Sequence, residues 1–189
     1  MLKMIRPAIV SLLVFTLITG IIYPLAVTGV AQLLFPFEAN GSIMTKEGKP
    51  AGSSLIGQPF DGTGYFRGRH SATSPYPYNA AASSGSNLSQ VNPGLLERVE
   101  ASASLLKDAN QGDKPVPVDL LTASGSGLDP HISPAAAEYQ VHRVAASRGL
   151  DETKVRTLVS VYTEGRQFGI FGEPRVNVLR LNLALDKLP

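Results

Sequence analysis

Residues 7–37 read PAIVSLLVFTLITGIIYPLAVTGVAQLLFPF, and no charged side chain interrupts them. About 20 apolar residues are enough to cross the roughly 30 Å hydrocarbon layer of a bilayer, and the core helix of a soluble domain is rarely so uniformly apolar. The stretch therefore predicts one transmembrane helix, which we assign to residues 8–33.

The charges on either side of this segment indicate its direction. Lys3 and Arg6 precede it and Glu38 follows it. Because basic residues concentrate on the cytoplasmic side of a membrane span, we expect residues 1–7 to form a short cytoplasmic tail. Residues 38–189 are then expected to form an extracytoplasmic globular domain.

A cleaved signal peptide is the alternative interpretation of the same segment. It too combines a basic start with an apolar run, and Gly29-Val30-Ala31 offers small residues for cleavage. Apolar segments of signal peptides are ~7–15 residues long, and this one is about twice that. The length favours an uncleaved anchor.

Composition narrows the function of the domain. The 189 residues, 43% of them hydrophobic, supply a core for one modest domain beside the anchor. The net charge of +2 is carried by Lys3 and Arg6, so the domain itself is balanced and nucleic acid is not expected as a partner. The absence of cysteine excludes thiolate catalysis, zinc–thiolate sites, iron–sulfur clusters and disulfides.

The first half of the domain is predicted to consist of turns and short strands. It is rich in Gly, Ser, Pro and Asn up to about Val91. Short apolar runs between turn residues predict strands at 54–58 (SLIGQ) and 65–69 (YFRGR). A third strand is predicted over 116–123, where apolar and polar residues alternate between proline and glycine boundaries.

Helices are predicted in the second half, each bounded by a capping or turn residue: Asn92 to about Ala109, Ser133 to Gly149, and Asp151 to Gly165. Residues 176–185 alternate like a strand but follow Glu173-Pro174, a typical helix start, and we favour a helix there. The sum is an α+β fold, with one N-terminal transmembrane helix followed by an exported domain that has a small β-sheet and three to four helices.

Residues 124–134, SGSGLDPHISP, bring serines, an aspartate and a histidine close together in sequence and are the strongest candidates for a catalytic site. Ser126 or Ser124 with His131 and Asp129 could form a hydrolase triad. Triad members usually come from distant parts of a chain, however, and only the loose Gly125-Ser126-Gly127 resembles a nucleophile elbow. The alternative is structural: the glycines permit a tight turn, which feeds the helix that starts at Ser133. We assign no catalytic residue.

Motifs for nucleotides and metals are missing from the sequence. Neither a phosphate-binding P-loop nor a dinucleotide-binding glycine motif occurs. His70, His131 and His142 are far apart in sequence, and Asp129 with His131 supplies two ligands where three or four are needed. No metal site and no cofactor bound by a recognisable motif are therefore predicted.

Two charged groups could face a partner. Arg67 and Arg69 flank Gly68 and could pair with a partner's carboxylates, or simply form a cationic edge that discourages aggregation. Glu173 and Arg175, close to Asn177, could recognise a partner or form an internal ion pair and helix cap.

Several stretches taken together resemble one family, the C subunit (KdpC) of bacterial Kdp-type potassium-transporting P-type ATPases. They are SLIGQ at 54–58, FRGR at 66–69, SGSNL at 84–88, TASGSGLDPHISPAA at 122–136 and GEPRVNVL at 172–179. They follow one membrane helix, keep the family's order and span nearly the whole chain. His70 is a departure, since the family shows proline there more often.

The resemblance implies a non-catalytic accessory subunit in the bacterial inner membrane. It implies three partners: a potassium-translocating subunit, an ATP-hydrolysing subunit and a small helical one. It also implies a role as a catalytic chaperone that raises the ATP affinity of the hydrolysing subunit, so ATP is implied for the complex. Because only residues 1–7 are expected in the cytoplasm, we expect this effect on ATP to be indirect.

We select twelve polar, charged or glycine residues from the matching stretches as candidate interface residues: Arg67, Arg69, Asn87, Ser124, Gly125, Ser126, Gly127, Asp129, His131, Glu173, Arg175 and Asn177. Two other functions stay open at this point. One is an exported serine hydrolase that uses Ser126 or Ser124 with His131 and Asp129. The other is a free-standing exported binding module.

Overall fold

The computed structural model describes residues 2–110 and 114–188. The chain divides into two compact units, and the boundary lies between Ile43 and Met44.

The first unit is almost entirely helical. Helix α1 spans Leu2–Leu17, a π-helical turn spans Ile18–Ile22, and helix α2 spans Tyr23–Leu34, followed by the short helix α3 over Pro36–Ala39. The π-helical turn lies just before Pro24, whose ring removes one backbone donor and disturbs the regular hydrogen-bond ladder. By length and composition alone, the continuous helix over Lys3–Leu34 is able to cross a membrane.

The second unit combines helices with short strands. Strands β1 (Ile43–Lys46) and β2 (Lys49–Ser53) form a two-stranded sheet. Helices α4 (Pro93–Asn110), α5 (Pro134–Arg148), α6 (Glu152–Val161) and α7 (Val178–Leu185) alternate with strands β3 (His131–Ile132), β4 (Thr163–Glu164) and β5 (Arg175–Asn177). These three strands form an antiparallel sheet in the order β3-β5-β4. The predicted α+β class is confirmed.

The caps predicted for the middle helices are present. The Ser133 hydroxyl accepts a hydrogen bond from the Ala136 amide at 3.0 Å, and the Asp151 carboxylate accepts one from the Thr153 amide at 2.6 Å. Gly149 ends α5 with a φ of 65°, in the left-handed region that suits glycine. Helix α6 ends at Val161, earlier than the predicted Gly165, because the chain enters β4 at Thr163.

The core of the second unit lies where α5 meets α6, α7 and the three-stranded sheet. Its fully or almost fully buried side chains are Phe66, Ile132, Ala137, Val141, Val144, Ala145, Val155, Val176, Leu181 and Leu185. Four of these, Ala137, Val141, Val144 and Ala145, form the inner face of α5. Burial at spacings of three and four residues is what holds these helices on the sheet.

The predictions of strands at residues 54–58, 65–69 and 116–123 are wrong. Strand β2 ends at Ser53, so residues 54–58 form a turn and irregular chain. Residues 65–69 are irregular, and the side-chain amides of Asn182 and Gln140, not a neighbouring strand, bind the main chain of Phe66 and Arg67. Residues 116–123 contain a 3₁₀-helical turn at Val118–Leu120, since Pro115 and Pro117 offer no amide for a sheet ladder.

The ambiguous segment 176–185 contains both alternatives in succession. Strand β5 ends at Asn177, and helix α7 begins at the next residue. The Asn177 side-chain oxygen accepts a hydrogen bond from the Arg180 amide at 3.1 Å and so caps the helix. The helix that the sequence favoured is confirmed, and its cap is Asn177 instead of a residue near Pro174.

Candidate interface site around Asp129

The glycine-rich turn at residues 124–128 is held by hydrogen bonds from three distant parts of the chain. The Gly57 amide donates to the Leu128 carbonyl at 2.8 Å, and the Ser71 hydroxyl donates to the Gly127 carbonyl at 2.7 Å. The Ser84 amide donates to the Ser126 carbonyl at 3.0 Å. These bonds give the turn a defined shape and bring several of the family-like stretches together.

Asp129 is the centre of the site. One of its carboxylate oxygens accepts from the His131 amide at 3.0 Å and lies 3.3 Å from His131 Nδ1, and the other lies 3.2 Å from Arg69 Nη1. Burial raises the pKa of Asp129, but the bonds from His131 and Arg69 outweigh burial and hold this pKa below its ordinary value. The carboxylate is therefore ionised at neutral pH.

The imidazole of His131 lies between two polar partners. His131 and Asn177 are paired across strands β3 and β5. His131 Nε2 is 3.5 Å from the Asn177 side-chain nitrogen, which also donates to the Ser54 carbonyl at 2.7 Å. With Asp129 near Nδ1, both ring nitrogens face groups of this chain, which fixes the ring in the sheet edge.

Arg69 and Tyr78 complete the polar cluster. Arg69 Nη2 is 3.4 Å from the Ala123 carbonyl, and the Arg69 carbonyl accepts a hydrogen bond from the Tyr78 hydroxyl. Burial, together with the negative charge of Asp129, raises the pKa of Tyr78 to about 12. Tyr78 thus stays a neutral donor over the accessible pH range. It was not among the residues that the sequence singled out.

An open cleft of about 410 Å³ brings together candidate residues from separate stretches: Arg69, Asp129, His131, Glu173 and Arg175. Asp119 also lines it and was not predicted. Its carboxylate accepts from the Ser133 amide at 2.8 Å, at the start of α5. Asp119 lies 14 residues before Ser133, so no local sequence pattern predicts this hydrogen bond.

The remaining candidates lie outside this cleft in the part of the chain that the structure describes. The main chain of Arg67 pairs with the Gln140 side chain, and its guanidinium lies 3.4 Å from the Asp61 carbonyl. Asn87 is exposed, and Ser124 is buried.

The cations around the cleft are paired with carboxylates. Glu173 binds Arg166 with both oxygens, at 2.7 and 2.8 Å. Arg175 and Arg180 both bind Glu164, at 3.2 Å each. The cleft rim is therefore rich in charge but has little excess of either sign, which suits recognition of a mixed protein surface more than capture of a polyanion.

The contact on which a serine hydrolase depends is not formed. The Ser126 hydroxyl accepts from the Leu128 amide at 3.1 Å, and among the described residues neither Ser126 nor Ser124 is hydrogen bonded to the His131 ring. A nucleophile and its base need such a contact. Within residues 2–110 and 114–188, no three His, Cys, Asp or Glu side chains converge as a metal site would require.

Comparison with known proteins adds the family context. The family model described as "K+-transporting ATPase, c chain" matches residues 5–187. A protein of Methylococcus capsulatus is 61% identical over 184 residues, which cover 97% of each chain. A protein of Sorangium cellulosum is 59% identical over 187 residues, which cover 98% of each chain. Both relatives are named "Potassium-transporting ATPase KdpC subunit".

Proposed function

The chain belongs to the KdpC family of potassium-transporting ATPase subunits, and on that premise we propose that it is the accessory, non-catalytic subunit of a high-affinity, ATP-driven potassium uptake complex. The observation that carries the proposal is the family match over residues 5–187, which includes both the apolar helix and the α+β unit. The chain contains no phosphorylation motif of a P-type ATPase and no potassium filter sequence, so other subunits must hydrolyse ATP and conduct the ion.

The proposed partners are a potassium-translocating subunit, an ATP-hydrolysing subunit and a small helical subunit. The apolar helix over Lys3–Leu34, which carries no charge from Pro7 onward, supports an uncleaved anchor in the bacterial cell membrane. We place residues 1–7 in the cytoplasm, the span at 8–33 and the domain of residues 38–189 on the extracytoplasmic side. Lys3 and Arg6 before the span support this direction.

The proposed contribution to turnover is that of a catalytic chaperone, which raises the ATP affinity of the hydrolysing subunit and supports assembly. With the domain on the far side of the membrane from ATP, this effect is transmitted through subunit contacts. Such a coupling between distant sites typically amounts to about 1–3 kcal/mol, which is roughly 5- to 150-fold in affinity.

Purification of the tagged chain in mild detergent tests the proposal. We expect three further polypeptides to co-purify: a large ATPase, a large membrane subunit and a very small helical one. The ATP concentration that gives half-maximal hydrolysis should rise at least roughly fivefold when the chain is removed from the complex. Recovery of the chain alone would contradict the proposal.

The direction in the membrane is tested separately by cysteine labelling, since the chain has no cysteine of its own. Ala146→Cys places a thiol on the exposed face of α5, and Lys3→Cys places one before the span. In intact cells, we expect a membrane-impermeant maleimide to label only Ala146→Cys, and in broken cells to label both variants. The reverse pattern in intact cells would overturn the topology and the indirect mechanism with it.

A further inference from the structure

The loop at residues 165–172, GRQFGIFG, carries three large apolar side chains that the described part of the chain leaves uncovered. Phe168 is 94% exposed, Ile170 71% and Phe171 64%. Single exposed apolar residues are common on protein surfaces, but a cluster of this size indicates an interaction site.

The backbone of this loop is ordered into a tight hairpin. Gln167 and Phe171 exchange both main-chain hydrogen bonds, each at 2.9 Å, and the Ile170 amide donates to the Gln167 carbonyl at 3.1 Å. The two central residues of the turn both have positive φ, 54° at Phe168 and 74° at Gly169, as in a type I′ turn.

Phe168 is therefore unfavourable in two independent ways. A bulky aromatic residue rarely adopts positive φ, and here its ring is also almost fully in water. Asn, Asp or Gly would suit the same turn with neither penalty. Backbone strain combined with apolar exposure at one residue is typical of positions kept for recognition.

The residues in and around the loop favour a protein, and not a lipid bilayer, as its binding partner. Bilayer-binding segments usually combine their apolar residues with unpaired Lys or Arg and with Trp or Tyr. This loop contains none of Lys, Trp or Tyr, and its one cation, Arg166, is bound by both oxygens of Glu173. An apolar tip with a neutral polar rim has the layout of the centre of a protein–protein interface.

We propose that the 165–172 loop inserts Phe168, Ile170 and Phe171 into an uncharged apolar pocket of another subunit of the potassium-transporting complex. The proposal rests on the proposed function, because that function supplies a partner subunit. The glycines at 165, 169 and 172 have open space where a side chain would be, so the partner's main chain is able to approach the loop closely.

A photo-crosslinking amino acid at position 168 of the full chain, in cells that express the whole complex, tests the occupant. We expect a cross-linked product that contains a partner subunit, and no such product from the same probe at Leu105, an exposed position on α4. A product with lipid only, or with a second copy of the chain, would overturn the proposal. If the wild-type chain has no co-purifying partners at all, the proposed function falls as well.

Substitution gives the second test. Phe168→Ser with Ile170→Ser should reduce the recovery of partner subunits at least roughly tenfold, the scale of a hot-spot loss. The thermal unfolding midpoint of the chain should stay unchanged, because both side chains are exposed. The matched control, Leu96→Ser with Leu105→Ser on α4, should keep its partners. Full recovery of partners with the loop variant would refute the proposal.

Discussion

The side-chain amide of Asn182 binds both the main-chain amide and the main-chain carbonyl of Phe66. Its side-chain oxygen accepts from the Phe66 amide at 2.9 Å, and its side-chain nitrogen donates to the Phe66 carbonyl at 2.9 Å. Both residues are buried, 1% and 0% exposed. Asn182 thus takes the place that a neighbouring strand would occupy, and it fixes the chain before Arg69 and the site around Asp129.

We expect Asn182→Ala to be strongly destabilising. The substitution leaves a buried amide and a buried carbonyl of Phe66 without partners, which should cost about 2–4 kcal/mol of the free energy of unfolding. Denaturant unfolding of the detergent-solubilised chain measures this cost. Asn92→Ala is the control, because Asn92 is exposed and caps only the Gly94 amide, so its loss should cost about 1 kcal/mol or less. Equal effects of the two substitutions would contradict this role of Asn182.

The same contact explains which parts of the fold the sequence could predict. Helices α5 and α6 carry local signals, such as Ser133 at a cap and Gly149 past an end, and the sequence predicted the starts of both helices and the end of α5 closely. The side chains that bind the main chain of Phe66 and Arg67 lie on α7 and α5, far away in sequence. An apolar run between turns shows that a segment is buried, but it does not show whether a strand or a side-chain amide binds it.

The contacts in the candidate site likewise fall into those that local sequence could predict and those that depend on the tertiary structure. Asp129 and His131 are two residues apart, so their contact was within reach of local reasoning. The approach of Arg69 depends on the path of the whole loop, and the contributions of Asp119 and Tyr78 depend on tertiary structure alone. Family resemblance, more than spacing, selected the residues that line the cleft.

Gly57 is predicted to tolerate no side chain. A Cβ atom there would meet the ring of Tyr78 and come within 2.8 Å of the Asp129 carbonyl oxygen. Gly57→Ala should therefore cost about 1–3 kcal/mol of unfolding free energy by overpacking. It should also lower complex recovery, because it displaces the residues on which the turn at 124–128 depends.

Gly125→Ala is the matched control for this substitution. Gly125 lies in the turn itself, but a Cβ atom there meets nothing within 4 Å. Its unfolding midpoint should stay close to that of the wild-type chain. If Gly125→Ala destabilised the chain as much as Gly57→Ala, the effect would come from backbone flexibility and not from the close approach of Tyr78.

Asp129 should make stability depend on pH. Because its pKa is lowered in the folded state, its stabilising contribution is complete above the ordinary carboxyl pKa of about 3.9 and is lost as pH falls through the lower folded value. Asp129→Asn should therefore be less stable than the wild-type chain at pH 7. The difference between the two should shrink below about pH 4.

Unfolding midpoints between pH 7 and pH 3 provide the measurement. Asp108→Asn is the control with the same chemical change, since Asp108 is an exposed acid on α4 and makes no ion pair among the described residues. Because Asp108 lies in the last turn of α4, where a negative charge is slightly unfavourable, its difference from the wild-type chain at pH 7 should be no more than about 1 kcal/mol. A difference for Asp129→Asn that does not change with pH would mean that packing, and not charge, makes Asp129 stabilising.

The ion pair between Arg166 and Glu173 should contribute little to stability. The Glu173 side chain is 77% exposed and that of Arg166 46% exposed, so water screens the pair. Glu173→Gln should change the free energy of unfolding by less than about 1 kcal/mol, as measured by denaturant titration. A loss of partner subunits without a loss of stability would then assign Glu173 to an interface. A loss above about 2 kcal/mol would instead assign it to the fold.

His131 separates the accessory-subunit function from the hydrolase alternative. Among the described residues neither candidate serine is hydrogen bonded to its ring, so we expect the wild-type chain and His131→Ala to hydrolyse activated esters at the same background rate. Because His131 lines the cleft, recovery of partner subunits should fall roughly fivefold or more, the scale of a 1 kcal/mol contact.

His142→Ala is the control for both assays, since His142 is an exposed residue on α5 whose ring pairs with Glu152. It should leave ester hydrolysis and partner recovery unchanged. A hydrolase would show the opposite pattern at His131, with turnover lost and the complex intact, because a general base acts on the substrate and not on a neighbouring subunit. That pattern would make the cleft around Asp129 an active site, whereas a loss of partners at constant turnover makes it an interface.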